Sequence, residues 1–139
     1  MRKALLFLAS VFLLPLLFVS CKSTDGESSE SVESEISYEQ ISAKEAKEIM
    51  DTENEYVIID SRTQDEFDKG HIKGAIMIPE YEIKSSQDKL PSDKNTLILV
   101  YCRSGRRSKI ASSALVELGY TNVKEFGGII DWPYEIVTE

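Results

Sequence analysis

The chain has 139 residues, 42% of them apolar and 29% charged, which suffices for one compact domain with a core of its own and for little else. Its 24 acidic against 16 basic side chains leave a net charge of -8, which excludes a surface made to track nucleic-acid phosphates. Two cysteines and one histidine cannot supply a zinc cluster, so no metal is indicated, and Cys21 and Cys102 lie in contexts too different to pair.

Met1-Arg2-Lys3 opens the chain with positive charge, and an apolar run over 4–19 follows, broken only by Ser10 and Pro15. A charged start, a short apolar stretch and small residues after it make a secretory signal peptide over 1–20. The run is shorter than the roughly 20 residues of a spanning helix, and Pro15 weakens it further. Phe18-Val19-Ser20-Cys21 resembles a bacterial lipobox, with Phe18 where that motif prefers Leu. The resemblance implies that Cys21 carries lipid and opens the mature chain. That would place the protein outside the cytoplasm, anchored to a bacterial membrane at its periplasmic face or the cell surface. Several acyl chains, at about 0.8 kcal/mol per buried methylene, give stable attachment. The alternative is an uncleaved signal anchor with an incidental cysteine. After Cys21, the serine- and acid-rich stretch to Glu35 cannot bury enough apolar surface to offset its chain entropy. Residues 21–35 therefore read as a disordered, extended tether.

A single folded domain is expected over 36–139. Ser42 and Glu45 form a capping box ahead of a helix that turns Ala43, Ala46, Ile49 and Met50 to one side. The β-branched run over 55–60 is long enough for a buried strand only. A helical turn over 63–68 with Phe67 inward, a strand over 75–78 closed by Pro79, and a helix over 80–86 follow. Leu90-Pro91-Ser92-Asp93 marks a turn, and residues 96–101 are the strongest strand in the chain. An amphipathic helix over 106–118 carries Ile110, Ala111, Ala114, Leu115 and Leu118 on one stripe and stops at Gly119. A short strand over 123–126 and a helical segment around Trp132 complete the domain. Continuous apolar strands alternating with helices imply an α/β fold whose parallel sheet is covered on both faces.

In such sheets, sites form beyond the carboxyl ends of strands. Cys102 stands there, between the strongest strand and the strongest helix, in Cys102-Arg103-Ser104-Gly105-Arg106-Arg107-Ser108. A helix N-terminus offers unpaired N–H groups and partial positive charge, and Gly105 lets successive N–H groups turn inward as a cradle. Together with Arg103, Arg106 and Arg107 this favours thiolate over thiol and makes Cys102 a nucleophile. A structural core cysteine does not fit the basic residues that follow it. Asp60 and Arg62, at a strand end, are expected to pair and fix a neighbouring loop. His71 is expected to satisfy backbone groups rather than catalyse, and Trp132 to pack.

The cysteine segment resembles the active-site loop of the rhodanese-like sulfurtransferases, which opens on a cysteine with Gly at the fourth place and Arg or Thr at the sixth. Cys102, Gly105 and Arg107 stand at those places. Val57-Ile58-Ile59-Asp60-Ser61-Arg62, Glu66-Phe67 and Gly70-His71-Ile72-Lys73-Gly74-Ala75 through Ile78-Pro79 are similar to the family's first motif, and Gly127-Gly128-Ile129 with Trp132 to its closing segment. Lys73 and Met77 depart from the usual Pro and Asn. The resemblance, over residues 37–138, implies a three-layer fold with a parallel sheet of about five strands flanked by helices. It implies that Cys102 takes a sulfane sulfur from thiosulfate or a persulfide, holds it as a persulfide and passes it to a thiophilic acceptor, possible acceptors including a protein. Arg103, Ser104, Gly105, Arg106 and Arg107 would bind the small anionic donor, and no cofactor is required. A cysteine phosphatase or arsenate reductase would need Arg where Ser108 stands. Thiol–disulfide exchange would need a second domain cysteine. A persulfide carrier or tethered binding module without turnover is the alternative outside enzymology.

Overall fold

Apolar runs too short for helices and bounded by turn residues make strands, and the computed structural model, which describes residues 37–138, places five of them in one sheet. The signal segment over 1–20, Cys21 and the tether over 21–35 lie outside the described residues. In chain order the elements are β1 (Glu39–Gln40), α1 (Ala43–Thr52), β2 (Val57–Asp60), α2 (Gln64–Asp68), β3 (Ala75–Met77), β4 (Ile98–Cys102), α3 (Arg106–Glu117) and β5 (Val123–Gly128). Every strand pair is parallel and the order across the sheet is β1-β5-β4-β2-β3.

Parallel neighbours need crossover connections, and these lay helices on both faces. Side chains of β4 therefore alternate between two cores. Ile98 and Val100 pack with Ala111, Ala114 and Leu115 of α3. Leu99 and Tyr101 pack with Ala46 of α1, Phe126 and Trp132. Each fully buried Val, Leu or Ile contributes about 1.5–3 kcal/mol, so this central strand anchors both layers. The arrangement is the three-layer α/β fold expected.

Local signals set most boundaries. The Ser42 hydroxyl accepts the Glu45 N–H at 3.2 Å while Glu45 takes the Ser42 N–H at 2.7 Å, the capping box that starts α1. Residues 80–86 do not form the expected helix. They make overlapping turns, with Glu82 N–H bonded to Pro79 O and Ser85 and Ser86 N–H to Glu82 O. Ile83 is the one side chain there that is drawn into the α3-side core, and Pro79, which precedes the segment, offers no side-chain cap like those that start α1 and α2. The helical segment near Trp132 is a single 3-10 turn, Ile129–Asp131. β1 was not foreseen; it adds an exposed pair of residues to the edge of β5.

α2 is tied to α3 by one carboxylate. Glu66 accepts the Thr63 N–H at 3.2 Å, capping its own helix, and binds Arg107 through two bonds of 2.7 and 2.8 Å. Arg107 first of all, against the opposing effect of burial, holds the Glu66 carboxyl down to about 2 from an ordinary 4.5. A carboxyl depressed on folding contributes stability that is fully present above its unfolded value and is lost as pH falls through its folded value. Glu66→Gln is therefore expected to lower stability at neutral pH by about 1 kcal/mol, given the pair's partial exposure. Chemical denaturation across pH should show the gap to wild type closing between about pH 4.5 and 2.

Candidate active site

β4 ends at Cys102 and α3 begins at Arg106, so three residues must reverse the chain. Gly105 does so in the left-handed region, at φ +95°, where a Cβ would be strained. The reversal brings the Gly105 N–H to 3.0 Å from Cys102 Sγ. Burial pushes the Cys102 thiol up, yet hydrogen bonds from the Ser108 hydroxyl and N–H and from the Ser104 and Gly105 N–H groups hold it below its ordinary value. One amide of the helix start, that of Gly105, is turned to the sulfur, and the groups that hold the thiol down are hydrogen-bond donors rather than guanidiniums. Arg107 is held further above its ordinary value by Glu66 first, with Cys102 a lesser contributor.

The loop is buttressed from behind. Cys102 pairs with Gly128 across a register shift between β4 and β5. A methyl on Gly128 would lie 2.1 Å from the Arg103 carbonyl oxygen and 2.5 Å from the Ser104 α-carbon. Those are backbone atoms that cannot swing aside, so the cradle fits over glycine alone.

The structure gathers Cys102, Arg103, Ser104, Gly105, Arg106 and Arg107 around one mouth but gives them different exposures. Cys102 and Gly105 are buried, Arg103, Ser104 and Arg106 are exposed, and Arg107 is half-buried against Glu66. A cleft of about 320 Å³ beside the loop is lined by Arg62, Glu66, Lys69, Arg103, Ile129 and Ile130. Asp60 and Arg62 form the expected pair: Nε reaches Oδ1 at 2.9 Å, one terminal nitrogen reaches Oδ2 at 2.6 Å and the Gly70 carbonyl at 2.7 Å. The Tyr101 hydroxyl accepts the Ile72 N–H at 3.1 Å, and burial together with Asp60 keeps this phenol far above its ordinary value, hence neutral. His71 stacks on Phe67 with ring centroids 3.7 Å apart, and its Nδ1 lies 3.0 Å from the Phe67 carbonyl, so the ring is engaged by a backbone group. Among the described residues no three His, Cys, Asp or Glu side chains converge where a metal could sit.

Sequence reasoning gave no role in the cradle to Ser108 or Glu125. The Ser108 hydroxyl, fully buried, donates to Glu125 Oε1 at 2.6 Å. The available signal was alternation: with Val123 facing the α3 core, Glu125 two residues on faces the same way.

The comparisons agree with this geometry. A family model for the rhodanese-like domain matches residues 42–133. The chain is 41% identical over 73 residues to the thiosulfate sulfurtransferase PspE of Escherichia coli, covering 52% of this chain and 70% of that protein. It is 36% identical over 88 residues to a sulfurtransferase of Allochromatium vinosum, covering 63% and 79%. Among solved structures, a rhodanese with anions from Escherichia coli aligns with a TM-score of 0.56 at 37% identity over 60% of this chain and 99% of that one. A rhodanese-related protein from Thermoplasma volcanium aligns with a TM-score of 0.63 at 30% identity over 73% and 100%. The matched span runs from the Ser42 cap through the cysteine cradle to Trp132, taking in every strand except β1, and the chain belongs to the rhodanese-like domain family.

Proposed function

We propose that the domain is a sulfurtransferase in which Cys102 carries a sulfane sulfur from thiosulfate or a low-molecular-weight persulfide to a thiophilic acceptor. The observation that carries this reading is the Gly105 N–H, 3.0 Å from the buried Cys102 Sγ at the start of α3. Attack of the thiolate on the outer sulfur of thiosulfate forms the Cys102 S–S bond and releases sulfite with the electron pair of the broken bond. Attack of cyanide or an acceptor thiolate on the outer sulfur of the persulfide then removes it and returns the Cys102 thiolate. Charge balances in both steps, and neither calls on a cofactor. The amides that stabilise the thiolate are placed to stabilise the persulfide anion, an electrostatic role that costs no reorganisation during reaction.

Arg103 and Arg106, exposed at the rim, would draw the anionic donor, while Arg107, engaged by Glu66, would set the rim's shape. Cys102 is 1% exposed, so a slim terminal sulfur is the part of a donor that fits. The same enclosure favours a second reading, in which the persulfide is kept and delivered to a protein acceptor as cargo. Residues 1–20 would direct export, and lipid on Cys21 would hold the domain on a membrane by a tether over 21–35.

With thiosulfate and cyanide the purified protein should release thiocyanate, and Cys102→Ala should reduce release to the uncatalysed rate. Release undiminished by the substitution would falsify the assignment. Intact-mass analysis after donor exposure should show a gain of one sulfur on wild type and none on the variant; that gain without turnover would mark a carrier. For the anchor, mass spectrometry of the N-terminal peptide from membrane fractions should find Cys21 acylated, and an unmodified thiol there would dispose of the anchor.

A further inference from the structure

Beneath the cradle lies a carboxyl group that the transfer chemistry leaves unused. Glu125, the third residue of β5, is 3% exposed. Its Oε1 accepts the Ser108 hydroxyl at 2.6 Å and the Gly127 N–H at 2.8 Å. Those donors belong to the two walls of the cradle, the first turn of α3 and the end of β5. Gly105 stands between the carboxylate and the sulfur. Its N–H lies 3.0 Å from Cys102 Sγ, and a methyl on its α-carbon would sit 3.9 Å from Glu125 Oε1.

None of the ion pairs among the described residues includes Glu125. Its strand partners are Gln40 of β1 and Val100 of β4, both uncharged. Of the arginines in the first turn of α3, Arg107 is bound by Glu66 and Arg106 is exposed. A buried acid without a cation thus faces the nucleophile across one glycine and one shared serine. Two like charges in a common site oppose each other's ionisation.

We propose that Glu125 is a positioning residue that sets the acidity of Cys102: through Ser108 and Gly127 it fixes both walls of the cradle, and its charge restrains the ionisation that the amides promote. The proposal rests on reading Cys102 as the nucleophile. Its value to the reaction follows from thiolate chemistry. Intrinsic nucleophilicity falls as a thiol becomes more acidic, with a Brønsted slope of about 0.4–0.5, and the best attacking thiol has a pKa near ambient pH. A charge opposing the helix start and the amides would keep the thiol from falling below that optimum.

The test is the pH profile of iodoacetamide alkylation, read by mass spectrometry on the Cys102 peptide of the full-length protein. Glu125→Gln keeps an oxygen to accept both hydrogen bonds and removes the charge. Its profile should move to lower pH by about one unit, so that alkylation well below the wild-type midpoint speeds about tenfold. A coincident profile, or one moved to higher pH, overturns the proposal. Should the variant fail to fold, the wild type decides: the Glu125 carboxyl carbon-13 resonance should step at the pH where Cys102 ionises and lose that step once Cys102 is alkylated. A resonance indifferent to alkylation overturns the proposal equally. Alkylation needs no sulfur donor, so a shifted profile with neither thiocyanate release nor sulfur gain would end the sulfur-transfer reading and leave this one standing.

Discussion

The functional end of the sheet depends on how the chain leaves β4. A strand buried at every position delivers Cys102, and the backbone then has three residues in which to become a helix. Gly105 supplies the left-handed turn, and the turn sends its N–H back to the sulfur just passed. An isolated anion in such a place would cost many kcal/mol, and the chain meets it with donors that are part of the fold itself. Gly128 completes the arrangement from below, where any side chain would collide with the Arg103 carbonyl.

Full charges around the cradle serve mainly to hold one another. Asp60 and Arg62 are almost entirely enclosed, and a buried pair of this kind is weak evidence for net stability. Its effect is geometric: Arg62 ties the end of β2 to the Gly70 carbonyl and so fixes the loop that runs past the mouth. Glu66 and Arg107 do the same between α2 and α3. The outcome is a rim on which Arg103 and Arg106 remain open to solvent in a protein whose overall charge is negative. A local positive field on an acidic background is more attractive to anions than the surface around it.

Local patterns made much of this legible in the sequence. The Ser42–Glu45 box, the apolar run of β4 and the glycine after Cys102 each act within a few residues, so they can be read without knowing the fold. What escaped depends on residues distant in the chain. Arg107 looks like an anion-binding group until Glu66, 41 positions away, is found holding it. β1 has no apolar signature, and Glu39–Gln40 is extended because the edge of β5 is open beside it. The segment over 80–86 carries helix-forming residues, yet Ile83 alone fastens it and turns prevail. Glu125 could be placed inward by alternation, but its purpose emerges only when Ser108 is seen opposite it.

The sheet's margins have a consequence of their own. One edge strand spans two residues and the other three. Glu39 on the first is exposed and paired with Lys124, and the second is followed within two residues by Pro79. A foreign strand arriving at either side would find few free amides to bond and a charge or a proline in the way. Among the described residues the sheet therefore offers a second copy little edge on which to continue it.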